Sequence, residues 1–371
     1  MPSGLVSEGL RVGNLRCPRS LSLERVMLIV VTYHYVRPSR GRPSEGVQGI
    51  SPDGLAAQLG PLGMAGDFVS VSQVRDAMQG GRPLPRRALL VTFDDGLREQ
   101  VDYALPVLDR LGIPAIFFVN TWPIANRAVS TVHKIHLLLA HTSPGTFRAL
   151  LTAEGRRQGI EVRFGVEPRD AAISYPWDSH EVAQLKYFLN HQLGPDVKDA
   201  LVAPCFRYAF GDDEAIISRA LYMDLDQLRV LGTRGYLGTH GDRHLPLGRL
   251  SGRAVRESVR VSLHTFVEWT GVRPFALAYP FGSLGSATIE AGAAAAAAGV
   301  QLAFTTERAA NVDLRQPLHL ARFDCNDLPG GRRPCFALET LFESVPPARW
   351  HRDRCGQRIE CDVNATASKG A

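Results

Sequence analysis

Short apolar runs and amphipathic stretches alternate along most of this 371-residue chain. The apolar runs are rich in Val, Ile, Leu and Phe, which is typical of buried strands. They span residues 27–34, 68–71, 88–91, 113–120 and 300–305. Helical patterning covers residues 53–62, 103–111, 249–269 and the alanine-rich segment 287–298. Strands that alternate with helices predict an α/β fold with a mainly parallel sheet.

Residues 121–221 interrupt this alternation with helical patterning and loops that contain aromatic residues. We interpret them as an insertion over the carboxyl edge of the sheet, where loops commonly determine specificity. Its early histidines, His133 and His136, are interpreted as the polar face of an amphipathic helix. Contact with a polar or anionic substrate group is the alternative.

Two adjacent acids, Asp94 and Asp95, follow the apolar run at 88–91 and precede Gly96. They lie at the carboxyl end of a predicted strand, where parallel α/β folds place their chemistry. Successive strand residues point to opposite faces, so the two carboxylates need not share one task. Burying both without a counter-charge is costly, so the pair requires a cation, a partner base or exposure to solvent.

His240 and His244 follow a second strand-like segment at 235–239. Imidazoles four residues apart share a face if the segment turns helically. Two neutral histidines and one carboxylate form a ligand set for a divalent metal with open positions for water and substrate. Surface or capping histidines have the same spacing, so the pair indicates a metal site only in combination with the acids.

Three segments, in this order, resemble the polysaccharide deacetylases with a NodB homology domain (carbohydrate esterase family 4). They are Val-Thr-Phe-Asp-Asp-Gly at 91–96, the two histidines at 240 and 244, and Ala-Tyr-Pro-Phe-Gly at 278–282. The resemblance covers residues 27–120 and 221–330. It implies a distorted (β/α) barrel with a mostly helical insertion, and a metal-dependent hydrolase that removes an N-acetyl group from an amino sugar.

The resemblance also assigns a role to each motif residue. Asp95, His240 and His244 match the metal ligands, and Asp94 matches the catalytic base. The backbone N–H of Phe281 matches the donor to the oxyanion. Zinc is the first expectation for the metal, with Co²⁺, Ni²⁺ or Fe²⁺ as alternatives. A metal that lowers the pKa of a water and a carboxylate that takes its proton are a chemically consistent pair.

The third motif departs from the family at one position. Many members carry an arginine just before its proline, where it supports the catalytic aspartate, and here Ala278 and Tyr279 occupy that place. Arg322, at the end of a late apolar run, is a candidate to replace it from another strand; a surface arginine is the alternative. We also expect Tyr279 and Arg322 to contact the substrate.

The amine that leaves an amide must be protonated, and histidine is the usual donor because its ordinary pKa lies near neutrality. The first strand ends in Tyr33-His34. This pair resembles the Tyr-His opening of a permuted branch of the family that includes deacetylases of poly-N-acetylglucosamine. We therefore prefer His34 as the acid over His319, which stands in a late Leu-His pair.

Composition and charge limit the classes of binding partner and the cellular location that we expect. The net charge of +5 comes from scattered basic residues without interleaved aromatics, so no nucleic acid partner is expected. No apolar stretch reaches the roughly 18 residues of a membrane span. Residues 1–26 contain charged side chains and no apolar core typical of a signal peptide. We expect a disordered extension there, Met27 as a candidate start, a cytoplasmic protein and six mostly reduced cysteines.

On this interpretation the catalytic domain spans 27–345 and a polar tail spans 346–371. A cytoplasmic location favours a saccharide, glycolipid, nucleotide-sugar or secondary-metabolite precursor over an extracellular polymer as the N-acetylated substrate.

Two other hypotheses use the same residues. A catalytically silent sugar-binding relative is supported only by the missing arginine of the third motif, because the base and all three ligands are present. A mononuclear iron oxygenase uses the same two histidines and one carboxylate. Its ligand order usually begins with a histidine, however, and it leaves Asp94 without a role.

Overall fold

The computed structural model describes residues 26–38, 47, 49–165 and 167–350. The expected extension at 1–26, apart from Val26, and most of the polar tail lie outside the described residues.

The strands are short, and most of the helices lie between them. The strands are β1 Met27–Tyr33, β2 Asp67–Phe68, β3 Arg87–Phe93, β4 Ala115–Val119, β5 Leu237–Thr239, β6 Ala276–Ala278, β7 Leu302–Phe304 and β8 Phe323–Asp324. The helices are α1 Pro52–Ala65, α2 Val71–Met78, α3 Leu105–Leu111, α4 Thr121–Asn126, α5 Thr131–His141, α6 Pro144–Gln158, α7 Pro168–Ser174, α8 His180–Tyr187, α9 Pro195–Phe210, α10 Glu214–Leu221, α11 Leu225–Thr233, α12 Gly252–Thr270, α13 Ile289–Ala297 and α14 Leu341–Ser344. Shorter π-helical turns cover Gln100–Ala104 and Phe188–Gln192, and 3-10 turns cover Leu247–Arg249 and Cys325–Asp327.

Local sequence signals account for several element boundaries. The side chain of Ser51 accepts a hydrogen bond from the Gly54 N–H at the start of α1, as expected for an N-cap before proline. The strand predicted at 68–71 ends already at Phe68, because Ser70 and Gln73 form a capping box that begins α2.

The sheet is parallel throughout and runs in the order β7-β6-β5-β4-β3-β1-β8, with β2 beside the start of β3. Its two ends approach each other through the segment before β8. The Leu320 N–H donates to Ala303 and its carbonyl accepts from Thr305, both at 2.8 Å, while Phe323 pairs with Val31 of β1. The sheet is therefore curled into a distorted (β/α) barrel, as predicted.

Alternate residues of the strands pack into two different cores. Leu28, Val30 and Leu90 belong to a cluster built mainly from strand residues, which is the barrel interior. Ile29 and Leu89 belong to a cluster that includes side chains of α1, α3 and α11, which cover the outside. Burial on both faces explains why these strands are continuously apolar in the sequence.

The helices α4–α10 fill residues 121–221 between β4 and the last helix before β5. Many of their buried side chains form a third cluster, which also contains Tyr35 and Leu97 from the loops after β1 and β3. The next helix, α11, contacts α12 and β5 and thus covers the barrel. The insertion therefore packs against the carboxyl edge of the sheet.

The expectations of no membrane span and of reduced cysteines can be compared with the described residues. Among the described helices, none is long and apolar enough to cross a membrane. Cys205, Cys325 and Cys335 are free thiols.

Gly238 provides a test of the barrel packing. A Cβ at this position of β5 would lie 2.5 Å from Phe118 Cδ1 and 3.0 Å from Ile116 Cδ1. We expect Gly238→Ala to overpack the interior and destabilise the protein by about 1–3 kcal/mol, measured as a lower thermal unfolding midpoint. Gly145→Ala is the matched control, because its added Cβ would approach only Ser143 Oγ at 3.9 Å. Equal shifts in the two variants would contradict this packing.

Candidate metal centre and active site

The side chains predicted to carry chemistry follow three strands of the barrel. His34 follows β1, Asp94 and Asp95 follow β3, and His240 follows β5. Tyr33 is opposite Phe93 in the register of β1 and β3, so the next residues along, His34 and Asp94, are neighbours. His34 Nε2 lies 3.9 Å from Asp94 Oδ2, and 41% of the His34 side chain is exposed.

Asp94 is held by a buried arginine. Its two carboxylate oxygens accept hydrogen bonds of 2.8 and 2.7 Å from the two terminal nitrogens of Arg322. Arg322 also donates to the hydroxyls of Thr32 and Thr92 and, through Nε, to the Thr305 carbonyl. Arg322 thus supports Asp94 from the segment directly before β8, which agrees with the first of the two alternatives that the sequence left open for it.

Burial and charge act in opposite directions on Asp94. Burial alone would raise the pKa of this carboxyl, but the charge of Arg322, followed by that of His240, holds the pKa below its ordinary value. Asp94 is therefore ionised at neutral pH. A fixed, ionised carboxylate at this position is suited to accept a proton.

Asp95 turns away from Asp94, with a positive φ of 79°. Its Oδ1 lies 3.5 Å from His240 Nε2 and 3.3 Å from His244 Nε2, and the three ligand atoms lie within 4.8 Å of one another. Asp95 Oδ1 is buried and has no hydrogen-bond partner in the described part of the chain. An orphaned carboxylate oxygen facing two imidazoles fits a divalent metal, because buried polar atoms are otherwise paired.

The hydrogen bonding of His240 leaves its Nε2 atom available as a candidate metal ligand. Its Nδ1 lies 2.8 Å from the Ala278 carbonyl, a contact that requires the proton on Nδ1 and leaves the Nε2 lone pair facing Asp95. Burial lowers the pKa of His240 to about 4, so the imidazole is neutral at neutral pH.

Backbone strain is concentrated at this site. Of the four non-glycine residues with positive φ in the described chain, three are Asp95, His244 and Phe281. Such conformations cost free energy and cluster at functional sites. The His244 and Phe281 rings are in edge contact, with centroids 4.9 Å apart. Within the described residues the Phe281 N–H has no hydrogen-bond acceptor, so it is available as a donor.

The two side chains that we expect to contact the substrate are both buried. Arg322 is 1% exposed and its donors are taken by the barrel. Tyr279 is fully buried and its hydroxyl donates to the Leu318 carbonyl. The expectation that they touch substrate is therefore not supported by the geometry; both are packed into the protein interior.

Of the two candidate acids, the structure places His34 beside Asp94. His319 instead stacks on the buried ring of Tyr279, and its Nε2 lies 3.1 Å from the Thr288 carbonyl at the start of α13.

His133 is a functional candidate that sequence reasoning missed. The polar face of an amphipathic helix is ordinarily solvated, but the side chain of His133 is fully buried, and its Nε2 lies 3.2 Å from Asp95 Oδ2. His136, one turn on, contacts the Tyr35 hydroxyl at 3.0 Å. The available signal was two histidines three residues apart in a helix otherwise rich in leucine.

Comparisons with known proteins agree with the motifs. The sequence model of the family described as "Polysaccharide deacetylase" matches residues 81–152, which include both acids. A 55-residue segment is 40% identical to the poly-beta-1,6-N-acetyl-D-glucosamine N-deacetylase of Escherichia coli strain K12. That match covers 15% of this chain and only 8% of the relative.

Two solved structures are similar to this chain, and the first of them shows the same fold. The Streptococcus pyogenes deacetylase PplD, in complex with acetate, has a TM-score of 0.52 at 15% identity over 87% of this chain and 100% of that one. IcaB from Ammonifex degensii has a TM-score of 0.46 at 19% identity over 80% of this chain and 91% of its own. The family model thus matches one segment of this chain, and the fold is that of PplD; both agree with the resemblance of the motifs. The narrower assignment to the branch with Tyr-His on the first strand stays a prediction.

The Arg322–Asp94 pair can be tested by a double-mutant cycle. Arg322→Met leaves a buried carboxylate without its partner, so we expect a loss of about 3–5 kcal/mol in the free energy of unfolding. Asp94→Asn in the same background removes the uncompensated charge and should recover part of that loss. Denaturant titrations of both single variants and the double variant provide the measurement. Strictly additive effects would argue against a coupled pair.

Proposed function

We propose that this protein is a metal-dependent hydrolase that removes the N-acetyl group from an amino sugar. The observation that carries the proposal is the arrangement of the two adjacent acids. One is fixed and ionised by Arg322, and the other faces two imidazoles with an unpartnered oxygen. A proton acceptor beside a metal ligand set is the arrangement that amide hydrolysis requires.

Each residue has one task in the proposed mechanism. Asp95, His240 and His244 would hold a divalent metal, zinc in the first instance, which polarises the acetamide carbonyl and lowers the pKa of water. Asp94 accepts the proton of the water that attacks the amide carbon. The Phe281 N–H donates to the oxyanion that develops there. His34, exposed and near Asp94, gives a proton to the nitrogen as the C–N bond breaks, so acetate and a free amine leave.

The substrate class is proposed on two grounds. The name of the Escherichia coli relative supports an N-acetylglucosamine-type sugar. In addition, Lys198 Nζ lies 5.3 Å from the centroid of the Phe281 ring, so a cationic group flanks the site. A nearby ammonium supports a sugar that carries a negative group, such as a nucleotide- or lipid-pyrophosphate-linked precursor. A cytoplasmic location stays a prediction.

The silent sugar-binding relative loses its one supporting observation. It rested on the arginine missing from the third motif, and Arg322 makes a bidentate contact with the base instead.

The two acids should fail in different ways. Asp94→Asn keeps the ligand set, so we expect bound zinc but acetate release reduced about 10²–10⁴-fold. Asp95→Asn removes a ligand, so zinc affinity should fall by more than the roughly 10–100-fold that loss of an outer partner costs. Acetate release is measured on free, nucleotide-linked and lipid-linked N-acetylhexosamines, and zinc content on the same preparations.

Chelation is the companion control. Removing the metal from the wild-type protein should abolish release, and adding zinc back should restore it to the wild type but not to Asp94→Asn. Full zinc occupancy with no release from any compound would contradict the proposed function. Equal zinc affinities in the Asp94→Asn and Asp95→Asn variants would contradict the separate roles of the acids.

A further inference from the structure

We propose that His133, from helix α5 of the insertion, is a positioning residue that holds one oxygen of Asp95 and leaves the other for the metal. The inference rests on the proposed metal-dependent function, which assigns the insertion no role in holding the metal. It concerns the two oxygens of a single carboxylate, which have different surroundings in this structure.

The two oxygens of the Asp95 carboxylate have different contacts. Asp95 Oδ2 lies 3.2 Å from His133 Nε2. Asp95 Oδ1 has no hydrogen-bond partner in the described chain and faces the Nε2 atoms of His240 and His244. With Oδ2 occupied, the carboxylate is restrained to offer Oδ1 alone. A partner on the second oxygen is a common way to orient a ligating carboxylate.

A second feature is the tautomer of His133. Its Nδ1 lies 2.6 Å from the Tyr222 hydroxyl and 2.8 Å from the Ser130 hydroxyl. The Tyr222 oxygen accepts the Ser130 N–H at 3.0 Å and lies 3.0 Å from the Ser130 hydroxyl; if it accepts from both, its own proton is donated to Nδ1. An Nδ1 that accepts leaves the proton on Nε2, which donates to Asp95.

A third feature is that this arrangement is anchored to the barrel. Tyr222 follows α10 and forms an antiparallel bridge with Leu97, and the next N–H, of Met223, donates to the Gly96 carbonyl at 3.0 Å. Gly96 directly follows Asp95 in the chain. Both ends of the insertion, at Ser130 to His133 and at Tyr222, therefore converge on one metal ligand.

The surroundings of His133 favour a fixed geometry. Its ring is fully buried, with the rings of Tyr35, His136 and Tyr222 at centroid distances of 6.2, 6.0 and 5.4 Å. A hydrogen bond shielded from water in this way is stronger than an exposed one, and its loss leaves Asp95 Oδ2 buried and unpaired.

Two isosteric substitutions separate positioning from packing. The amide nitrogen of Gln reaches the place of the imidazole Nε2, whereas that of Asn reaches only the place of Nδ1. We expect His133→Asn to weaken zinc binding about 10–100-fold and His133→Gln to retain most of the wild-type affinity. Zinc affinity is measured on metal-free protein by competition with a chromophoric chelator, and folding by thermal unfolding. His136→Asn is the matched control, because His136 is on the same helix and its side chain contacts the Tyr35 hydroxyl at 3.0 Å where His133 contacts Asp95.

The outcomes are distinct. Wild-type zinc affinity in a folded His133→Asn protein would overturn the inference, as would equal losses in the Asn and Gln variants and in the His136 control. If His133→Asn fails to fold, the comparison of His133→Gln with Tyr222→Phe decides, because only the latter removes a donor to Nδ1. A moderate loss in Tyr222→Phe supports the inference and no loss overturns it. Zinc binding without acetate release would refute the proposed function and leave the role of His133 intact.

Discussion

The bidentate pair between Arg322 and Asp94 is the interaction on which the rest of the site depends. Both groups are almost completely buried, and a carboxylate in that position without its guanidinium would be strongly unfavourable. Arg322 also reaches hydroxyls on β1 and β3 and a carbonyl just after β7. Arg322 lies in the segment that joins the two ends of the sheet. The same segment therefore closes the barrel and holds the proposed base.

From this pair follows the division between the two acids. Asp94 continues the inward-facing series of Leu90 and Thr92 and so meets Arg322 at the top of the barrel interior. Asp95, the next residue, would point outward in a regular strand, but its positive φ directs it to His240 and His244 instead. Adjacent carboxylates acquire separate environments because β3 ends at Phe93 and the backbone turns at Asp95. The strain at Asp95 is a local cost that the surrounding contacts offset.

The features of the site that could be predicted are those that depend on residues close together in the sequence. Buried strands have apolar runs, and the acids, the histidine pair and Tyr33-His34 stand at strand ends, so their meeting at one edge follows from parallel topology. Arg322 could be suggested only by elimination, since its partner is far away in sequence. The burial of His133 could not be predicted, because it depends on α9 and α10 packing over α5. Tyr279 is similar: its contact with Leu318 arises only once the late segment folds over it.

The position of His133 changes how the insertion should be understood. The barrel alone supplies all three ligand atoms and the base, so an insertion that only covered the site would influence substrate access and nothing else. Here Lys198 of α9 lies beside the Phe281 ring, and His133 of the adjacent helix α5 contacts Asp95 Oδ2. Under the proposed function, a change in how α5 packs against α9 would therefore alter both the surroundings of the substrate and the orientation of the proposed metal ligand Asp95. That function thus predicts that specificity and metal affinity are coupled, because one packed cluster of helices contacts both regions.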